Sequence, residues 1–240
     1  VTALADIRFA IIGAGGLGGP VAYALAAAGA GRLVLCDNDL VELSNLQRQV
    51  QFTGADVGKN KVYALADELE RRGYPRDRID FIDEEFENNS AGWILDQCDV
   101  LIDGTDNFPS KFLINDRCVA AGRRFVIAAV LRYGGQVMAV RPADGGPCYR
   151  CLFEAPPTAD GGPMSCAEAG VLGAAVAVIA GHAARAAIAL ATGGDVDSGT
   201  LEVFEDLRES ALPRRVRFNR RPDCLAHPTG AEVRSPKEAV

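Results

Sequence analysis

Histidine is almost missing from this chain: there are two in 240 residues. Acid–base catalysis built on imidazole has little to work with. Basic charge is short too. Twenty-five Lys and Arg face 32 Asp and Glu, for a net charge of −7, whereas general nucleic-acid affinity needs a basic footprint. No secretory leader is expected, because the first residues lack a basic region, an apolar run and a small-residue cleavage site. Long apolar runs are scarce. The longest, residues 171–192, is rich in Ala and Gly and holds His182 and Arg185 near its middle. A membrane span is penalised heavily for such an Arg, so the run reads as a buried or interfacial core helix, and no membrane partner is expected. Cysteines number seven. An odd count does not suit a closed disulfide framework, and a chain of this size does not need one. Metal-binding or reactive thiols in a cytoplasmic protein fit better.

What is present is a chain able to bury about 70–75% of its unfolded surface, with short apolar runs alternating with amphipathic ones. Strands are expected at 7–12, 33–36, 79–82, 100–102 and 125–130. Helices are expected at 17–28, 61–72 and 111–121, with a short one closing at 93–97. The second of these carries Val62, Leu65, Ala66 and Leu69 at i, i+3, i+4 and i+7. Alternation of this kind implies a mostly parallel sheet with helices on both faces. The pattern then changes. Residues 136–141 and 200–204 read as strands, and 214–218, where basic and apolar residues alternate, as a half-exposed edge strand. Pro- and Gly-rich loops occupy 142–147 and 155–163. The fold class is therefore α/β: a Rossmann-like doubly wound, mostly parallel sheet extended by antiparallel strands, with residues 1–227 forming a single domain. Residues 1–130 would form its nucleotide-binding half and 131–227 its mixed-strand half. Residues 228–240 have little apolar content and are expected to be a disordered tail.

Gly13-Ala14-Gly15-Gly16-Leu17-Gly18 matches G-x-G-x-x-G between an expected strand and helix. Such loops bring backbone amides and a helix N-terminus close to phosphate. Asp37 lies 19 residues beyond Gly18 at the end of the second strand, where a carboxylate meets ribose hydroxyls. On those two features alone the reading is an NAD-dependent Rossmann enzyme. The rest of the constellation changes it. Ser44-Asn45-Leu46-Gln47-Arg48-Gln49, Gly58-Lys59-Asn60-Lys61 and Thr105-Asp106-Asn107-Phe108 put an Arg, a Lys and an Asp at the ends of successive elements, as handling of a triphosphate and a metal would require. Taken singly, Arg48 reads as a surface ion pair, Lys61 as a solvated helix residue and Asp106 as a helix N-cap.

With Asp37-Asn38-Asp39, Gly134-Gly135-Gln136, Cys148-Tyr149-Arg150-Cys151 and Cys166-Ala167-Glu168-Ala169-Gly170-Val171-Leu172-Gly173, these pieces run in order along the chain. The ordered set resembles the adenylating family that activates ubiquitin-like proteins, in its molybdopterin-synthase and thiamine-biosynthesis branch (MoeB/ThiF). The resemblance implies ATP and Mg²⁺ as cofactors. It also implies adenylation of the C-terminal glycine carboxylate of a small ubiquitin-like sulfur-carrier protein (MoaD/ThiS-like). By it, Gly13, Gly15, Gly16 and Gly18 form the nucleotide loop and Asp37 binds ribose. Asn45, Arg48 and Lys61 meet phosphate, and Asp106 handles Mg²⁺. A homodimer with a large apolar interface is implied as well. These residues include no sulfurtransferase domain, so a separate sulfur donor protein is expected. Family members carry an N-terminal helical segment whose Arg enters the partner subunit's site. Here the sequence opens close to the first strand, and Arg8, inside that strand, is a poor substitute. Either a trimmed chain or a trans cation from elsewhere is expected.

The residue types suit this chemistry. A carboxylate attacking the α-phosphorus is already ionised at neutral pH and needs no general base. It needs charge neutralisation and in-line positioning. One cation about 4 Å from a phosphate oxygen is worth about 4 kcal/mol at an effective dielectric near 20.

Cys148-x-x-Cys151 has the spacing of half a zinc site. The resemblance implies a closing C-x-x-C near the C-terminus, where this chain has Cys224-Leu225-Ala226-His227. A Cys₃His set holding structural Zn²⁺ is expected; a packed pair of apolar thiols is the alternative. Cys166 is the candidate for a covalent link to the carrier, or else a mobile, non-essential thiol. Cys36, Cys98 and Cys118 are expected in the core, as is His182. Two other functions remain open: an NAD(P)-dependent oxidoreductase, and a non-catalytic scaffold docking a ubiquitin-like partner.

Overall fold

The computed structural model describes residues 3–157 and 170–227. Cys166 and the tail at 228–240 lie outside the described residues. The chain opens with a βαβ unit: β1 (Arg8–Ile12), α1 (Gly18–Ala27) and β2 (Arg32–Cys36). Alternation continues through α2 (Lys61–Arg71), β3 (Ile79–Ile82), α3 (Asn88–Asp96), β4 (Val100–Asp103), α4 (Phe108–Ala120) and β5 (Arg124–Leu131). Then come β6 (Gly134–Val140), a single turn α5 (Tyr149–Leu152), the long α6 (Gly173–Thr192), β7 (Thr200–Phe204) and β8 (Arg214–Arg217).

All eight strands form one sheet in the order β3-β2-β1-β4-β5-β6-β7-β8. The first five run parallel and the last three antiparallel. The winding reverses between β1 and β4, the place where open α/β sheets leave a crevice at their carboxyl ends. Side chains alternate across the sheet as strand geometry requires. Phe9 and Ile11 of β1 join the core beneath α1, α2 and α6, whereas Ala10 and Ile12 join the core beneath α3 and α4. The second core holds Cys36, Cys98 and Cys118, each buried as expected.

Among the described residues α6 is the helix long and apolar enough to cross a membrane, yet ten of its residues are buried within the protein. Its alanines let it lie close on β5, β6 and α1. Arg185 pairs with Glu202 of β7 at 3.4 Å. His182 is less buried than the sequence reading expected: its side chain is 29% exposed, although it packs edge-on against the Phe204 ring. β8 is an exposed edge. Its Arg214, Arg215 and Arg217 each meet a carboxylate, a charged arrangement that discourages further strand pairing.

The β5–β6 hairpin turns on Arg132 and Tyr133. Arg132 takes φ of 53°, a left-handed conformation that costs a non-glycine residue about 1–3 kcal/mol. The segment leading into α6 holds it there: Arg132 N donates to Gly170 O at 3.1 Å, and Leu172 N donates back to Arg132 O at 2.8 Å.

Candidate nucleotide site and metal cluster

The crevice beyond β1 and β4 is a cavity of about 960 Å³. Its floor is the glycine loop. Gly13 has φ of 88°, and a Cβ there would lie 2.9 Å from Gly104 O. A Cβ on Gly18 would sit 1.7 Å from Gly13 O. Both glycines are demanded by the close approach of β1, α1 and the loop after β4, while Gly15 and Gly16 face the cavity. Gln51, buried behind the loop, donates from Nε2 to Ala14 O at 2.9 Å and Gly15 O at 2.8 Å.

Asp37 directly follows β2 and lines the cavity. Its Oδ2 accepts from Ala14 N at 2.7 Å and its Oδ1 from Asp39 N at 2.8 Å. Each oxygen keeps a lone pair for a hydroxyl. Burial pushes this carboxyl above the ordinary aspartate range, and the Lys61 charge with the two amides pulls it back only in part.

Lys61 is the first residue of α2, behind an Asn60 cap whose side chain accepts from Val62 N at 3.0 Å. Its ammonium is buried against the cavity and bonds Asp39 Oδ2 at 2.6 Å, with side-chain exposures of 6% and 66%. One of three donors is engaged there. Arg48 lines the same cavity, and among the described residues its guanidinium has no hydrogen-bond or ion-pair partner. Asp106 lines it too, exposed and without a side-chain partner among the described residues. It is not a helix cap: Asn107 caps α4, its Oδ1 accepting from Ser110 N at 2.9 Å. Arg48, Lys61, Asp106, Asp37 and the glycine loop thus share one cavity.

Asn45 does not line it. Its Oδ1 accepts from Gln49 Nε2 at 3.0 Å, so Gln49 stands between Asn45 and the opening and itself lines the wall. Arg8 is remote as well, paired with Asp99 at 3.1 Å at the amino end of β1. Three groups were missed by sequence reasoning. Asp39 neutralises Lys61, and its signal was the Asp-x-Asp spacing. The buried Gln49 and Gln51 were signalled by alternation in Gln47-Arg48-Gln49-Val50-Gln51. The third is a fully buried ion pair, Lys111 with Asp103, at 3.1 Å, for which the sequence carried no signal.

Away from the cavity, Cys148, Cys151, Cys224 and His227 converge, their donor atoms all within 4.8 Å of one another and all four residues buried. Cys148 Sγ lies 3.9 Å from Cys151 Sγ and 3.7 Å from Cys224 Sγ. Tetrahedral zinc with bonds near 2.3 Å sets sulfurs about 3.8 Å apart. His227 Nε2 is buried with no hydrogen-bond partner, as a nitrogen reserved for a metal would be. Burial, with the two neighbouring sulfurs, pushes the Cys148 thiol up to about 12. The loop is docked on α4: Asn115 Oδ1 accepts from Tyr149 N at 2.9 Å, and Arg150 pairs with Asp116 at 2.6 Å.

A doubly wound sheet with a glycine loop, a carboxylate and two cations at its switch point defines a Rossmann-type nucleotide-binding protein. Within that class the chain belongs to the ThiF family, which it matches over residues 1–226. It is 42% identical over 235 residues to the adenylyltransferase and sulfurtransferase MOCS3 of Sus scrofa, covering 96% of this chain and 50% of that protein. It is 38% identical over 229 residues to the sulfur carrier protein adenylyltransferase of Thermus thermophilus, covering 93% of this chain and 84% of that protein. The chain therefore spans about half the length of the MOCS3 relative and most of the bacterial one. The crystal structure of E. coli MccB with MccA-N7isoASN superposes with a TM-score of 0.78 at 21% identity, over 93% of this chain and 67% of that one.

Proposed function

We propose that the chain adenylates the C-terminal glycine carboxylate of a small ubiquitin-like sulfur-carrier protein with ATP, releasing pyrophosphate ahead of thiocarboxylate formation. The observation that carries this reading is the presence of Arg48, Lys61 and Asp106 in one cavity over the glycine loop. Family membership and a 38% identical relative named as a sulfur carrier protein adenylyltransferase support it. A hydride-transfer enzyme would use the glycines and Asp37 but has no task for two cations and a free carboxylate.

In this reaction Asp37 accepts hydrogen bonds from the ribose hydroxyls. Amides of the glycine loop and the start of α1 face the phosphates. Arg48 offers a planar fork to phosphate oxygens. Lys61 contributes a point charge at a helix start, where the helix dipole also favours anions. Asp106 is the carboxylate placed to hold Mg²⁺, which would neutralise the phosphates and the departing pyrophosphate. No histidine lines the cavity, and the ionised nucleophile requires none.

The Cys₃His cluster fits a structural Zn²⁺, tying the segment after β8 to the loop after β6. Cys166 is proposed as the site of a covalent link to the carrier. A homodimer and a sulfur donor protein complete the proposed assembly. The six described cysteines are free, which supports a reducing, cytoplasmic setting. Incubating the chain with ATP, Mg²⁺ and candidate carriers, then weighing the carrier by mass spectrometry, tests the reading. A mass gain of one AMP on the carrier terminus is expected; no adduct on any carrier with a C-terminal glycine would overturn it.

A further inference from the structure

Lys111 is buried in the first turns of α4 and lines the cavity, yet its ammonium is not free to meet a ligand. Nζ bonds Asp103 Oδ2 at 3.1 Å, Thr105 O at 2.8 Å and Ala128 O at 2.7 Å. Three acceptors use all three donors. Asp103, the last residue of β4 and fully buried, turns its other oxygen to the same loop: Oδ1 accepts from Thr105 N at 2.9 Å and Thr105 Oγ1 at 2.7 Å. Thr105 is therefore held at its amide, hydroxyl and carbonyl by one buried ion pair, and the next residue is Asp106. Ala128 follows Ile127, the last β5 residue paired with β4. The same ammonium thus joins the end of β4, the Asp106 loop and the β5 wall of the cavity.

We infer that Lys111, acting with Asp103, is a positioning residue for the Asp106 carboxylate: it fixes that group where the divalent ion accompanying the nucleotide binds, without touching the nucleotide itself. This rests on the adenylation reading above. Among the described residues Asp106 has no side-chain partner of its own, so its placement there depends on its backbone, and that backbone is anchored one residue away. A buried charge pair of this kind is costly to break but specifies one geometry.

The test is metal dependence of nucleotide binding, read by Mn²⁺ electron paramagnetic resonance titration with ATP and by calorimetry in metal-free buffer. In Lys111→Met, Mn²⁺ affinity in the presence of ATP is expected to fall at least tenfold, while metal-free ATP affinity changes less than twofold. The double variant Lys111→Met/Asp103→Asn leaves no unpaired buried charge and keeps an acceptor for Thr105. It secures the same reading if the single variant folds poorly. In an Asp106→Asn background, Lys111→Met is expected to add less than a twofold further loss, because its effect passes through Asp106. Unchanged Mn²⁺ affinity in both Lys111 variants would overturn the inference alone. So would an equal loss of metal-free ATP affinity, which would make Lys111 a phosphate ligand. A wild-type chain that binds no ATP would overturn the adenylation reading and this inference with it.

Discussion

Two charged side chains on the same cavity wall have opposite relations to the protein around them. The Arg48 guanidinium has no partner among the described residues, so Arg48→Ala is expected to leave folding stability within about 0.5 kcal/mol of wild type while weakening ATP binding or turnover by about 10²–10³-fold. Thermal melting beside calorimetric titration with ATP and with adenosine checks this. Adenosine, lacking phosphates, should bind the variant as well as it binds wild type. Asp37 behaves differently because burial raises its pKa. The folded chain takes up that proton before the unfolded chain does. Stability attributable to Asp37 therefore rises as pH falls from its raised folded value towards the unfolded one near 3.9. Function runs the other way, since a protonated Asp37 is a poorer acceptor for ribose. Adenosine affinity should begin to fall at a higher pH than an ordinary aspartate would give. Asp37→Asn should show weak, pH-independent binding between pH 7 and 4.5. An identical slope in that variant would assign the titration to another group.

At the level of elements, strands were the most legible part of the chain. β3 and β7 occur where the apolar runs placed them, and other strand ends differ by only a residue or two, because short apolar runs between turn residues have few other uses in a buried sheet. Helix starts were harder. α4 was expected from residue 111, yet it begins at Phe108, since Asn107 caps it and Pro109 suits a first turn. That shift sets Lys111 one turn inside the helix, with its side chain leaning back towards the N-terminus and Asp103. The ion pair was illegible for this reason: nothing in the spacing of Asp103 and Lys111 says that both are buried. The cysteine cluster was half legible from spacing, as Cys148-x-x-Cys151, and its closing pair Cys224 and His227 came only from the family resemblance; the structure brings the four together. Its pieces lie 76 residues apart, and only the fold brings Cys224 and His227 to the loop after β6. Structural zinc binds with an apparent free energy of about 10–16 kcal/mol in small modules. Metal analysis is expected to find one zinc per chain. Cys224→Ser is expected to lose it, with faster hydrogen exchange confined to the segment after β8 and the α5 loop. Full protection in the metal-free protein would remove the structural role.

Across the whole molecule, one sheet serves two ends. Its parallel half, β5 included, carries the candidate nucleotide cavity at the switch point, and β6 and β7 of its antiparallel half extend the cavity wall. The sequence motifs pointed to Gly13, Asp37, Arg48, Lys61 and Asp106, and all five line one cavity. Asn45 does not line the cavity; Gln49, which hydrogen-bonds it, does. Cys166, proposed above for a covalent link to the carrier, lies outside the described residues. The central claim is that Arg48 and Lys61 jointly polarise a triphosphate above the first βα turn. Carrier-dependent exchange of labelled pyrophosphate into ATP measures this directly. Wild type should exchange with a glycine-terminated carrier, while Arg48→Ala and Lys61→Ala, each folded by circular dichroism, should lose exchange by at least about 10²-fold. Exchange at the wild-type rate in either variant would contradict the account.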